Sequence, residues 1–269
     1  MNCAGIAFHC DLKRAFLSLL ICAAAMSAAD AAPQSDKKEI LNRARQRYYN
    51  LRQAGLIEFQ ANLQPNWKLL LTGVEANGFA MKLLNGLHFS MSIDSASKFR
   101  MDHRADVTPP DQKSVDRCDM IFKQMDEAVS RFVATWSIFM LTSPFPGTEN
   151  DYEAKEVAGQ HQFSHQEGAT NVLTITDKDF MIIEIKVSGA GFNASLKPVL
   201  EQTTRGFILR GYAANYETSS GRSTQVKVRV DYQKISGLQL PRKVDVDVIY
   251  GGSPAQVEWL FTDYQVKVR

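Results

Sequence analysis

Apolar residues along this chain change their spacing several times, and each change marks a boundary between elements. Ile57, Phe59, Ala61 and Leu63 alternate with Glu58, Gln60 and Asn62, which predicts a strand with one wet face over Leu56–Leu63, ended by Pro65-Asn66. Leu87, Phe89, Met91 and Ile93 repeat the alternation. Phe99, Met101 and His103 resume it beyond Asp94-Ser95, so a hairpin is expected there. Between these strands the spacing is mixed. Trp67, Leu70, Leu71 and Val74 fit one short helix, and Phe79, Leu83 and Leu84 fit a second, with Gly73 and Gly78 weakening both.

Two longer stretches keep the helical period. From Asp36 to Gln53, the residues Ile40, Ala44, Tyr48 and Leu51 share a face, Asp36 and Glu39 can cap each other, and Gly55 supplies a stop. Arg43, Arg45, Arg47 and Arg52 lie mostly off that face. A basic helix of this kind suits a membrane surface or a sheet, and the modest stripe favours the sheet. The longest helix is expected from about Asp111 or Ser114 to Leu141. Its stripe begins at Val115, Cys118, Ile121 and Phe122, continues through Met125, Val129, Phe132 and Val133, and ends at Trp136, Phe139 and Met140; Pro144 and Pro146 follow. A helix this apolar needs a broad partner surface.

The rest of the chain supplies one. Strands are expected at Tyr152–Val157, Gln160–His165, Asn171–Thr176, Phe180–Val187, Gly206–Tyr216, Thr224–Ile235, Gln239–Tyr250 and Gln256–Val268, separated by short Gly, Asp and Ser turns. Val226, Val228, Val230 and Tyr232 alternate strictly, as do Val244, Val246, Val248 and Tyr250. Val257, Trp259, Phe261 and Tyr264 break step near Thr262-Asp263, which predicts a bulge. Asn193 to Thr203, with Pro198 inside, reads as a short helix or a crossing segment. The short turns make an antiparallel meander. No glycine-rich phosphate loop and no strand–helix alternation occurs, so the fold class is α+β rather than doubly wound.

The N-terminus changes where this fold must work. Lys13 and Arg14 precede Ala15-Phe16-Leu17-Ser18-Leu19-Leu20-Ile21-Cys22-Ala23-Ala24-Ala25, and small residues run on to Pro33. This pattern reads as a secretory signal peptide over residues 1–31, cut after Ala31, with Ala29 as the competing site. Its apolar core is too short to span a bilayer, and no later stretch is long enough, so no transmembrane anchor is expected after processing. Ile21 before Cys22 argues against lipid attachment there. The dozen ordinary residues ahead of Lys13 leave open a start downstream of Met1. About 238 residues then remain as a single domain, 32–269, expected in the periplasm or outside the cell.

The net charge of +2 offers nothing to a nucleic acid. Cys3, Cys10 and Cys22 leave with the leader, so Cys118 stays alone and no intrachain disulfide can form. His161 and His165 stand four apart near Glu153 and Glu167. In a strand that spacing puts them about 13 Å apart on one face, so a half-exposed strand surface is expected rather than a metal site. Asp102 and His103 point to opposite faces. Asp245 and Asp247 share a wet face, and cross-strand pairing with Lys227 and Arg229 is expected. No HExxH, GxSxG, CxxC or phosphate-loop motif occurs. No catalytic residue, metal or cofactor is therefore expected, and an enzyme is not. What remains is the aromatic set: Phe89, Phe132, Trp136, Phe139, Trp259 and Phe261 are the candidate residues of a ligand pocket, with Tyr48, Trp67 and Tyr264 also inward. Periodicity alone does not separate a lined groove from a filled core.

The order of elements carries a resemblance. A leader is followed by a helix containing Ile40-Leu41 and Tyr48-Tyr49-Asn50-Leu51, then a strand. The chain closes through Val230-Asp231-Tyr232-Gln233-Lys234-Ile235-Ser236-Gly237-Leu238-Gln239-Leu240-Pro241-Arg242-Lys243-Val244. This resembles the periplasmic lipoprotein-carrier superfamily (LolA/LolB-like), in which a strand, Gly, x-Leu-Pro, strand signature recurs late in the fold. The resemblance implies a half-open antiparallel barrel covered by helices, here a curved sheet wrapped around one long helix with an N-terminal helix beside it. It also implies a lipid or acyl ligand on the concave apolar face. Gly237 would permit the tight turn, and Pro241 would tolerate an unpaired edge as the next strand begins. The helix at 114–141 is longer than a lid needs, and the carriers' lipoprotein-handling arginine has no counterpart in this sequence. Two functions stay open: an exported binder of a lipid or other apolar ligand in a concave sheet, or a secreted structural or envelope-assembly factor with a filled core and no ligand. The partners in view are a lipid or acyl ligand and an envelope protein.

Overall fold

Twelve strands form one antiparallel sheet in the computed structural model, which describes residues 34–70, 78–148 and 151–269. The expected leader, Leu71, Gly73 and Val74 lie outside those residues. In chain order the elements are α1 (Gln34–Gln46), β1 (Leu56–Pro65), α2 (Trp67–Leu70), α3 (Gly78–Asn85), β2 (Leu87–Ile93), β3 (Phe99–Ala105) and α4 (Gln112–Met140). Then come β4 (Tyr152–Val157), β5 (Gln160–Glu167), β6 (Thr170–Thr176), β7 (Ile182–Gly189), β8 (Phe192–Thr203), β9 (Gly206–Thr218), β10 (Ser223–Ile235), β11 (Leu238–Tyr250) and β12 (Ser253–Val268).

The strands lie in the order β3-β2-β1-β12-β11-β10-β9-β8-β7-β6-β5-β4. Apart from β1 against β12, neighbours in the sheet are neighbours in sequence. The sheet stays open, with β3 and β4 as its two edges, and α4 is the element that links those edges along the chain. This is the α+β fold expected from the sequence: a large curved, open antiparallel sheet with a long internal helix and an N-terminal helix.

Sequence explains why α4 starts and stops where it does. The Asp111 side chain accepts a hydrogen bond from the Ser114 N–H at 2.7 Å and satisfies one donor of the first turn. Leu141 closes the other end by donating its N–H to the Ser137 carbonyl at 2.9 Å. At 29 residues the helix is roughly 43 Å long. Its inner stripe is buried unevenly: Cys118, Phe122 and Met125 in the first half, then Val129, Phe132, Val133, Trp136, Phe139 and Met140.

The sheet divides in the same way. On β1, β2 and β9–β12, alternate residues such as Phe59, Met91, Tyr212, Val228, Val244 and Trp259 are buried in one core. On the wing β4–β8 the supply is thin. Phe163, Thr174, Thr176 and Ile182 are buried there, while β4 and β8 carry no buried residue. The break of step near Thr262-Asp263 is a register shift opposite Gln60–Asn62.

Three expectations need correction. The first helix ends at Gln46, not Gln53, and Asp36 lies within it rather than capping it. Non-local pairing ends it: Phe207 donates to the Arg47 carbonyl at 2.7 Å and Tyr49 donates to the Phe207 carbonyl at 2.9 Å. Gly206 makes this approach feasible, since a Cβ there would meet the Arg47 carbonyl oxygen at 2.6 Å. Asn193–Thr203 is the strand β8, neither a helix nor a crossing segment. Its ladder with β7 stops at Leu196, so Pro198 sits where one side of the strand has no partner and a missing N–H is tolerated. Pro241 likewise lies inside β11, ahead of the ladder with β12, which begins at Lys243.

Candidate functional site

The six residues expected to line a pocket fall into three places. Phe132, Trp136, Trp259 and Phe261 form one cluster in the core, each 1–2% exposed. The Phe132 ring lies 6.5 Å from Trp136, 6.2 Å from Trp259 and 6.3 Å from Phe261, and Phe59 meets Trp136 edge-on at 6.3 Å. These are ordinary aromatic packing separations. Trp136 Nε1 donates to the Tyr232 hydroxyl at 3.1 Å, and that hydroxyl donates to the Leu209 carbonyl at 2.6 Å. Burial pushes the Tyr232 phenol far above its ordinary pKa, so it stays a neutral donor. Phe89 belongs to a different group, 6.1 Å from Trp67 and 5.5 Å from Phe122.

Phe139 borders a cavity of about 430 Å³ at the end of α4, together with Arg45, Tyr48, Asn50, Phe145 and Glu167. Much of its polar lining is engaged. Asn50 Nδ2 donates to the Leu141 and Thr142 carbonyls at 3.1 and 2.8 Å, satisfying acceptors at the helix end. Arg45 donates from its guanidinium to the Pro146 carbonyl, and its buried Nε has no partner among the described residues.

A larger hollow, about 1180 Å³, crosses the wing. Register defines its walls. Glu153, Ser164, Leu173, Lys186, Ser195 and Asn215 lie in one cross-strand row, and Gln166, Asn171, Ser188, Asn193 and Glu217 lie in the next. Alternation puts both rows on the face opposite Phe163, Thr174 and Ala214, hence away from α4.

The remaining candidates lie on other strands. His161 and His165 occupy the inner face of β5. His161 stacks on Phe180 at 4.5 Å, and the His165 side chain is 5% exposed, a correction to the half-exposed surface expected for it. Its Nδ1 has no partner among the described residues, and its Nε2 lies 3.7 Å from Glu167. His103 stacks on Phe122 at 4.0 Å, with Asp102 on the other face of β3. Among the described residues, no group of three His, Cys, Asp or Glu side chains is placed to hold a metal.

The expected cross-strand pairing holds in part: Arg229 meets Asp247 at 3.0 Å and Asp245 at 3.7 Å, while Lys227 makes no ion pair among the described residues. Lys243 adds contacts to Asp245 and Glu258 at 3.1 and 3.3 Å. Hydrogen bonds from Asn66 and then Lys243 hold the Glu258 carboxyl below the usual range, while those to Asp245 and Glu258 hold the Lys243 ammonium above its own.

Arg52, which the sequence offered as one more off-face arginine, reaches the Leu56, Ile57 and Asp94 carbonyls and the Ser97 hydroxyl, tying the start of β1 to the β2–β3 turn. Its place just before a strand was the one available signal. Comparison of the chain with protein-family models, with curated proteins and with solved structures finds no match. No helix among the described residues is long and apolar enough to cross a membrane.

Proposed function

We propose that this chain is an exported envelope-assembly factor whose apolar interior is structural and whose partner is an envelope protein met at the surface. The observation that supports this reading is the mutual packing of Phe132, Trp136, Trp259 and Phe261 in the space where an acyl chain would be sought. Energetics favours it too. Withdrawing α4 to make room would expose nine buried side chains. At about 1.5–3 kcal/mol each that costs roughly 15–25 kcal/mol. The whole stability of a domain is about 5–15 kcal/mol.

A second reading, an apolar-ligand carrier of the lipoprotein-carrier type, is supported by the open sheet, whose edges β3 and β4 are not paired, and by the lighter burial of the first half of α4. Native mass spectrometry of protein purified from its own cell envelope separates the two, paired with titration of a fluorescent fatty acid. The filled-core reading expects bare protein and no saturable uptake. Co-purified lipid, or uptake that an unlabelled fatty acid displaces, overturns it in favour of the carrier.

A further inference from the structure

The hollow on the outer face of the wing is a binding site in form, and its chemistry names a ligand class. It runs across the strands, not along them. Six strands at about 4.8 Å spacing make it roughly 24 Å long. Between its two walls the sheet offers main chain, because Val172, Val187 and Ala194 turn their side chains to the other face.

Its walls are dominated by neutral amides and hydroxyls. Among the described residues, the side chains of Ser188, Asn193, Ser195 and Asn215 have no hydrogen-bond partner. The outer face of β10–β12 is the contrast: there Arg229, Asp245, Lys243 and Glu258 are spent on each other. Unengaged amides carry donors and acceptors together, which matches a ligand that also carries both on every unit.

We propose that this trough binds a neutral, hydroxyl-rich chain, a glycan laid across β4–β9. A sugar ring in an extended chain occupies close to one strand spacing, so successive rings meet successive strands and the same row of side chains repeats beneath them. The charged lining residues, Asp151, Glu153 and Glu217 against Lys186, leave an acidic excess that repels phosphate and sulfate polymers. A peptide is a poorer match: Leu173 is the apolar side chain on the two rows, and the free edge of β4 crosses one end of the trough instead of running along it. The site is separate from the interior, since the sheet stands between them. It functions whether or not the core accepts a ligand.

The test is isothermal titration of the full mature chain with cellohexaose and chitohexaose, each against its disaccharide, with heparin as the anionic control. Saturable binding of at least one hexasaccharide is expected, weakened about tenfold or more for the disaccharide. The double variant Asn193→Ala/Asn215→Ala should weaken it by about tenfold with the melting temperature unchanged. Ser188→Trp, which fills the trough from an exposed position, should abolish it. Failure of both hexasaccharides to bind, equal binding by the variants, or a preference for heparin overturns the assignment.

Discussion

The two halves of the sheet solve the same problem with unequal means. On β1, β2 and β9–β12 most inward residues are large and apolar, and Trp136, Phe139 and Trp259 are almost wholly enclosed. Along β4–β8 the inner residues are Ala154, Phe163, Val172, Thr174, Ile185 and Leu196, and several of them stay half exposed. One half is held by a core; the other is held largely by its ladder hydrogen bonds and by a few tethers. Stability and surface chemistry are thereby assigned to different parts of one sheet.

Mutations can break this contrast. Trp136→Ala should cost about 3–5 kcal/mol, seen as a fall in the urea midpoint. Leu196→Ala on the wing should cost about 0.5–1 kcal/mol. Equal losses would mean that the wing is as tightly committed as the core.

The tether at Tyr48 comes next. Its hydroxyl donates to the Phe180 carbonyl at 3.0 Å and accepts from the Ile182 N–H at 2.8 Å, joining the wing to the segment after α1. Tyr48→Phe leaves both main-chain groups buried without a partner and should cost about 1–3 kcal/mol. Amide exchange should quicken in β6 and β7 before it does in β12.

The smallest effect concerns pH. Glu258 has a folded pKa below its unfolded one, so the stabilisation it lends is full above the unfolded value and is lost as pH falls through the folded value. The difference in stability between wild type and Glu258→Gln should be present at neutral pH and vanish in acid. A difference that persists in acid would assign its cause to packing.

Much of the architecture was legible because burial on one face forces alternation. The strands β9–β12 and the stripe on α4 follow from that rule. β8 escaped it: with both faces partly wet, Phe192–Thr203 has no strong period, and Pro198 reads as a strand breaker until the reach of β7 is known. The end of α1 was hidden for another reason, since Phe207 stops it from far along the chain. At the candidate site, the sequence told that Phe132, Trp136 and Trp259 turn inward. Whether they meet each other or a ligand depends on distances that periodicity does not carry. The trough was invisible for the opposite reason. Ser188, Asn193 and Asn215 look like any wet face until register sets them side by side.

The pairing of β1 with β12 has a consequence for how the molecule comes into being. Leu56–Pro65 finds its partner in Trp259–Val268, so the first hairpin waits, one side unmated, until nearly all the rest has been made. Such distant closure is slow compared with turning a local hairpin. A chain that cannot finish folding early stays open for longer, which would suit the export proposed for it.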